Sequence, residues 1–388
     1  MDRLDCEIRP YAWGSTTAIA TLQGRQPSGR PEAEMWIGAH TLAPSQVFRD
    51  GQWLALDELI ANDPYGELGN ATTTSLPFLT KVLAARSPLS LQVHPTMAQA
   101  VLGFAKEQAS SLSDVDARLY HDASHKPELI CALSPFAALS GFRPIAATLN
   151  FLEALALPQL TWLADRLEAR PTEAELLAVL SDVLRREAVA VPEAIAALAE
   201  RFTEPVAGFE REAHWLQIIV AQYPDDPAVL VALLLNLVEL EPGEALFLGA
   251  GNLHSYLAGT GIEVMANSDN VIRGGLTTKK VDIPTLVDVI DPIAGLPLVQ
   301  RPDNASHQWT YHSPVAEFTL TRIDLSIEPE ISVVGPATVL SIGGLVVDDA
   351  GVRLSRGQAG WVAAREGAVR LRGDGFIFVT TVGVNTEP

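Results

Sequence analysis

A change of hydrophobic rhythm partway along the chain, and its later reversal, constrains the fold more than any other feature. From Pro10 to about Pro144, short apolar runs such as MWIGAH, SQVF, LPFLTKVL, LSLQVHP and ELICAL are punctuated by Gly, Pro, Asn and Asp. That is the pattern of strands joined by loops. From Ile145 to about Leu235 the texture turns to Ala, Leu and Glu at helical spacing. Thr172 and Glu175 form a T-x-x-E capping signature before a stripe at Leu176, Leu177, Leu180, Val183 and Leu184. Pro192 and Pro227 stand where first-turn prolines would, and Asp226 is the expected N-cap of the last helix. At Glu241-Pro242-Gly243 the β texture returns in ALFL, SYL and GIEVM. A Pro-rich stretch from Asp291 to Pro302 reads as a linker, and Val315 to Val384 alternates apolar and polar residues with Gly at the turns. The expected fold is mainly β, with an all-helical insertion of four or five helices and a second barrel or sandwich at the C-terminal end.

At 388 residues, 48% of them hydrophobic, the chain has material for two or three structural units. Its 27 Lys and Arg against 47 Asp and Glu leave a formal charge of −20, which repels phosphate backbones and anionic lipid. No nucleic-acid or membrane partner is expected, and an anionic substrate needs a local basic pocket. Cys6 and Cys131 are too few to staple such a chain, so a reducing cytoplasm fits. The N-terminal MDRLDCEIRPYAWG lacks the apolar stretch of a secretory signal. The longest apolar run, Ala228 to Leu240, contains Asn236 and Glu239 and reads as a buried helix or a helix-strand junction.

Four clusters hold residues able to do chemistry. In Leu91-Gln92-Val93-His94-Pro95 a strand places Gln92 and His94 on one face, which by itself also describes an ordinary hydrogen-bonded surface. In His125-Lys126-Pro127-Glu128 the same offset sets Lys126 beside Glu128, as in any ion pair. In the stretch from Gly243 to Tyr256 a strand and a glycine turn lead to His254 and Tyr256 on one face, as barrels present inward metal ligands. Gln92, His94, Glu128 and His254 would together supply two imidazoles and two oxygen donors, a set suited to Zn²⁺ or a similar divalent ion. Spacing alone does not bring residues 92 and 254 together. The fourth cluster runs from Ile262 to Lys280 and contains Glu263, Asp269, Arg273, Gly274, Gly275, Lys279 and Lys280. It concentrates scarce cations, which suits an anion, although a solvated surface loop would look similar.

The order of these motifs closely resembles class I mannose-6-phosphate isomerases, also called phosphomannose isomerases, of the cupin superfamily. The resemblance runs almost end to end. It rests on Tyr11-Ala12-Trp13-Gly14, the AEMWIGAH run from Ala33 to His40, Leu79-Thr80-Lys81-Val82-Leu83, Ser90 to Pro95, His125 to Glu128, Leu139 to Pro144 and the Arg273-Gly-Gly-Leu-Thr-Thr-Lys279 loop. Val93 replaces the family's usual alanine, Thr278 stands where many members have proline, and Gly249 where a common cupin pattern has proline. The resemblance implies two cupin-like jelly-roll β-barrels plus a helical domain. The catalytic jelly roll would comprise residues 1–144 and 236–300, the helical insertion 145–235, and the C-terminal jelly roll 301–388.

The resemblance also implies one Zn²⁺ per chain on Gln92, His94, Glu128 and His254, with Arg273 as the catalytic arginine. The implied reaction interconverts mannose 6-phosphate and fructose 6-phosphate through a cis-enediol, feeding mannose and GDP-mannose metabolism. Lys126 is the leading base: its reference pKa is about 10.4, and a nearby dication and Arg273 disfavour its charged form. Glu263 is the rival base or an orienting partner for Arg273. Lys81, Lys279, Lys280 and Ser90 are candidates for the phosphate, and Tyr256 and Asp269 for further substrate contacts. A cytoplasmic monomer whose partner is a small sugar phosphate is expected. Two other readings of the scaffold are a metal-bearing cupin that binds a sugar phosphate without converting it, and an iron-dependent oxygenase. The Gln donor argues against the oxygenase.

Overall fold

The computed structural model describes residues 1–109, 118–186, 191–303 and 305–383. Three antiparallel sheets of 11, eight and four strands carry the β texture, and helices lie mainly between Ile145 and Ala232. The far end of the expected β segment, Val384, lies outside the described residues.

The 11-stranded sheet is organised by one long strand, His254–Ala266. Its second half, Gly259–Ala266, pairs with Phe78–Ala85 on one side, and Gly261–Met265 pairs with Glu128–Ala132 on the other. Its first half changes partners, with His254 opposite both Gln92 and Ser140. The change occurs at Gly259, whose φ of +126° and whose approach to Phe136 (2.6 Å from an added Cβ) admit no side chain. At this kink the long strand passes from one set of partners to another, so the sheet branches there.

Strand alternation divides the residues of that sheet between two environments. Phe78, Val82, Leu129, Ile262 and Val264 share a core with Tyr311, Leu320, Leu340, Trp361 and Phe378 of the eight-stranded sheet, and with Phe318 just before one of its strands. Thr80 belongs to the same face, its hydroxyl donating to Thr380 Oγ1 at 2.9 Å. The alternate positions Lys81, Glu128 and Glu263 face a buried interior. One end of that interior is apolar, with Leu83, Ile130, Phe136, Leu248 and Tyr256. The other end is polar and holds the candidate site.

The helical segment behaves as its periodicity predicts, with six α-helices and one short 3₁₀ turn among the described residues, against the four or five expected. Leu163, Leu167, Leu176, Val179, Leu180, Val183 and Leu198 form its core. Thr172 caps its helix by accepting from Glu175 N at 3.3 Å. The Glu175 carboxylate does not reach back; it accepts from Arg166 Nε at 2.6 Å, a stronger charge-assisted partner. The apolar run is a junction between the helix Ala228–Ala232 and the strand Leu235–Leu240. Buried Asn236 is tolerated there because its amide donates to the carbonyls of Ser140, Phe142 and Gly295.

The first segment is mostly strand and loop, as expected, but it also holds the 13-residue helix Met97–Ala109 and the shorter helices Ala18–Leu22, Leu56–Asn62 and Pro64–Leu68. Two expectations need correction. The Pro-rich stretch from Asp291 to Pro302 is not a free linker, because Val299 and Gln300 pair with Leu246 and Ala245. A boundary at residue 301 does not separate the sheets either. The N-terminal strand Asp2–Asp5 lies between Ala359–Val362 and Gln46–Arg49 in the eight-stranded sheet. That sheet packs against the four-stranded one through Ile323, Val339, Val346, Leu354, Val362 and Leu371.

Candidate metal centre

At the polar end of the interior, His94, Glu128 and His254 are buried and bring ligand-capable atoms within 4.8 Å of one another. They come from three places: the end of the short strand Leu91–Val93, the start of Glu128–Ala132 and the start of the long strand. His94 Nε2 lies 3.2 Å from Glu128 Oε1, and His254 Nε2 lies 3.4 Å from Glu128 Oε2. His94 Nδ1 is 2.7 Å from the Asn270 carbonyl oxygen, and His254 Nδ1 is 2.9 Å from that of Asn252. These acceptors fix the protonated tautomer at Nδ1 and leave both Nε2 lone pairs facing the cluster.

Gln92, the register partner of His254, places its amide 3.3 Å from His254 Nε2. A half-turn of that amide presents Oε1 in place of Nε2. Two buried atoms of the cluster, His94 Nε2 and Glu128 Oε2, have no hydrogen-bond partner despite their close neighbours. Buried polar atoms left this way carry a desolvation cost that a cation would relieve. Two neutral imidazoles, a carboxylate and an amide oxygen are a borderline donor set that fits zinc. Among the described residues this is the one such His, Cys and carboxylate group.

The surrounding charges keep the donors in the right protonation state. Burial holds His94 below the usual imidazole range, and therefore neutral. Burial opposes the Glu128 carboxylate, but its neighbours outweigh that and hold the group well below the ordinary range, with Lys126 Nζ the permanent cation among them. Lys126, nearly buried, has its Nζ 3.4 Å from Glu128 Oε1, so this predicted pair is formed.

Lys81 and Glu263, register partners on adjacent strands, form a second buried group with Nζ 3.1 Å from Oε2. Glu34 adds a second carboxylate 3.6 Å from the same ammonium and accepts from Trp36 Nε1 at 2.7 Å. Burial works against the Lys81 charge, but Glu34, Glu263 and Glu128 push its pKa up. Burial, Glu128 and Glu34 likewise push Glu263 up despite Lys81, because one ammonium cannot match that many carboxylates. Tyr256 is buried beside His254, with ring centroids 6.0 Å apart, and its hydroxyl has no hydrogen-bond partner. Burial and then Glu263 push the Tyr256 phenol well above its usual range.

Other expected contacts are placed differently. Arg273 is the register partner of Gln92, and its guanidinium donates to Ser90 Oγ at 3.2 Å. Glu263, the rival base or orienting partner of Arg273 by sequence, has Lys81 as its ion-pair partner. Asp269 Oδ1 lies 3.3 Å from His40 Nε2. Lys279 and Lys280 are exposed, beyond the turn that follows Arg273. Sequence reasoning did not assign Glu34, Trp36 or His40, although they stand at offsets of two and four in one motif. Nor could it find the carbonyls of Asn252 and Asn270.

The model of the type I phosphomannose isomerase catalytic domain matches residues 1–145. The chain is 35% identical to the mannose-6-phosphate isomerase of Salmonella typhimurium, across 97% of this chain and 98% of that one. It is 36% identical to the Escherichia coli enzyme with the same coverage, and 30% identical to the human one across 90% and 86%. A zinc-bound crystal structure of mannose 6-phosphate isomerase is 33% identical, with a TM-score of 0.89 over 99% of both chains. A crystal form with zinc and yttrium matches with the same TM-score at 32% identity.

Proposed function

The chain belongs to the type I phosphomannose isomerase family, and from that premise we propose that it interconverts D-mannose 6-phosphate and D-fructose 6-phosphate with one zinc ion. The reading is carried by the buried cluster of His94, Glu128 and His254, with orphaned donor atoms and Lys126 alongside. Gln92, His94, Glu128 and His254 would hold the ion. When bound, it polarises the sugar's carbonyl oxygen and orders its neighbouring hydroxyl.

The aldose is converted when a base takes the C2 proton, leaving a cis-enediol, and the proton returns at C1 while a hydroxyl proton passes from O2 to O1. We assign the base to Lys126 Nζ. Its place 3.4 Å from Glu128 Oε1, directly beside the donor set, supports that role. Arg273 opposes the charge that builds on the enediolate oxygens. Glu263 is reassigned from rival base to partner of Lys81, and Lys81, already matched by two carboxylates, is withdrawn as a phosphate ligand. Ser90, Lys279 and Lys280 remain the phosphate candidates, with Tyr256 and Asp269 contacting the sugar.

Antiparallel pairing throughout supports reading the sheets as two cupin jelly rolls. A cytoplasmic monomer supplying mannose and GDP-mannose metabolism completes the proposal; no described helix is long and apolar enough to cross a membrane. The test couples fructose 6-phosphate formation to a dehydrogenase, before chelation, after it, and with zinc restored. Activity should vanish and return. A zinc-loaded protein that binds the sugar phosphate without turning it over would favour the binding cupin instead.

A further inference from the structure

The backbone that carries Arg273 is clasped by the helical segment. Strand Ile272–Gly275 leaves its register with Leu91–Val93 between Arg273 and Gly275 and then turns sharply. Gly275 has φ +121°, and a Cβ added there would stand 2.2 Å from the Ala228 Cβ. Leu276 follows, fully buried with φ +52°, a conformation that costs a branched side chain energy and persists only when its surroundings impose it.

The surroundings that impose it converge on Asp226. Its Oδ1 accepts from Ala228 N at 2.9 Å, closing an Asx turn at the start of the last helix. Its Oδ2 accepts from Thr277 N at 3.1 Å, across from the helical segment to the loop beyond Arg273. A cavity of about 380 Å³, lined by Tyr223, Asp226, Gly275, Thr277 and Thr278 among others, leaves this turn little other support on that side.

We propose that Asp226 is a positioning residue for the isomerisation, locking the turn after Arg273 so that the guanidinium is presented to the reacting oxygens. This gives the helical segment a part in catalysis without contact with the substrate, and it rests on the role assigned to Arg273 above.

The decisive variant is Asp226→Asn. Asparagine closes an Asx turn as well as aspartate does, so the helix start is kept. Its amide has only one oxygen, so with that oxygen kept on Ala228 N, Thr277 N faces an NH₂ group. Expected are a roughly tenfold or greater fall in kcat, a smaller change in KM, and unchanged zinc content and melting temperature. Asp226→Glu, with a longer carboxylate, should recover part of the loss. Wild-type kcat in Asp226→Asn, while Arg273→Ala is inactive, would overturn this proposal alone. Active Arg273→Ala would overturn the reading beneath it. Zinc loss in Asp226→Asn would also overturn it, because the residue would then act through the metal donors.

Discussion

Gln92 and Arg273 stand directly opposite each other across an antiparallel pair, and on its other edge Gln92 stands opposite His254. The proposed amide donor and the cation proposed for the developing oxyanion are thus held by one short ladder, yet Arg273 bonds Ser90 rather than any of the proposed donors. Arg273→Ala should therefore keep its zinc while kcat falls by on the order of 10² to 10³. Steady-state kinetics with metal analysis of the same sample checks this, and loss of zinc would count against it.

His254→Ala removes one donor and leaves the Asn252 carbonyl unpaired. The variant should retain less than about one tenth of its zinc after dialysis, and activity should fall with it. Stoichiometric zinc in the purified variant would exclude His254 from the donor set.

Lys126→Met removes the proposed base while preserving the side-chain length. Turnover should drop by roughly 10² to 10⁴ with zinc still bound. Near-normal exchange of the C2 proton with solvent deuterium would exclude Lys126 as the base.

The Lys81, Glu34 and Glu263 group makes an asymmetric prediction about stability. Lys81→Met leaves buried carboxylates unmatched and should cost about 3 kcal/mol or more. Glu263→Gln leaves Lys81 paired with Glu34 and should cost about 1 kcal/mol. Urea unfolding of both variants at pH 7 reads the order directly, and the reverse order would refute the assignment.

A pH signature is expected at the contact between the two halves of the chain, where His125 Nε2 lies 2.7 Å from Glu317 Oε1. The His125 hydrogen bond holds the Glu317 carboxyl below its ordinary range, with burial opposing. Such a group stabilises the fold fully above the ordinary carboxylate pKa, and loses that contribution as pH falls through its lowered value. Glu317→Gln should be less stable than the parent by about 1 kcal/mol at pH 7, with the difference closing in acid. A difference independent of pH between 3 and 7 would disprove the linkage.

The sequence was most legible where chemistry and local geometry coincide. An offset of two on extended backbone was enough to pair Lys126 with Glu128 and to bring Gln92 and His94 to one cluster. That residues 92 and 254 meet is a matter of strand register, a property of the assembled sheet rather than of either segment. The partners of Lys81 were hidden for the same reason, since Glu34 and Glu263 reach it from two neighbouring strands. The carbonyls behind the two histidines belong to backbone, which leaves no mark on residue type. The helix Met97–Ala109 did leave one: Thr96 and Gln99 form a reciprocal T-x-x-Q box, with Gln99 Oε1 accepting from Thr96 N and Thr96 Oγ1 from Gln99 N.

The strand Asp2–Asp5, flanked by Ala359–Val362, also bears on how the chain is made. During synthesis, which proceeds at about 5 to 20 residues per second, the first strand must wait many seconds for the neighbour that completes its ladder. Until then Leu4 and Val47 lack the part of their core that Leu340, Ala359 and Trp361 supply, although both are buried in the finished protein. The nascent chain therefore carries an unmatched sheet edge through most of its elongation, an opening for chaperones and for aggregation alike.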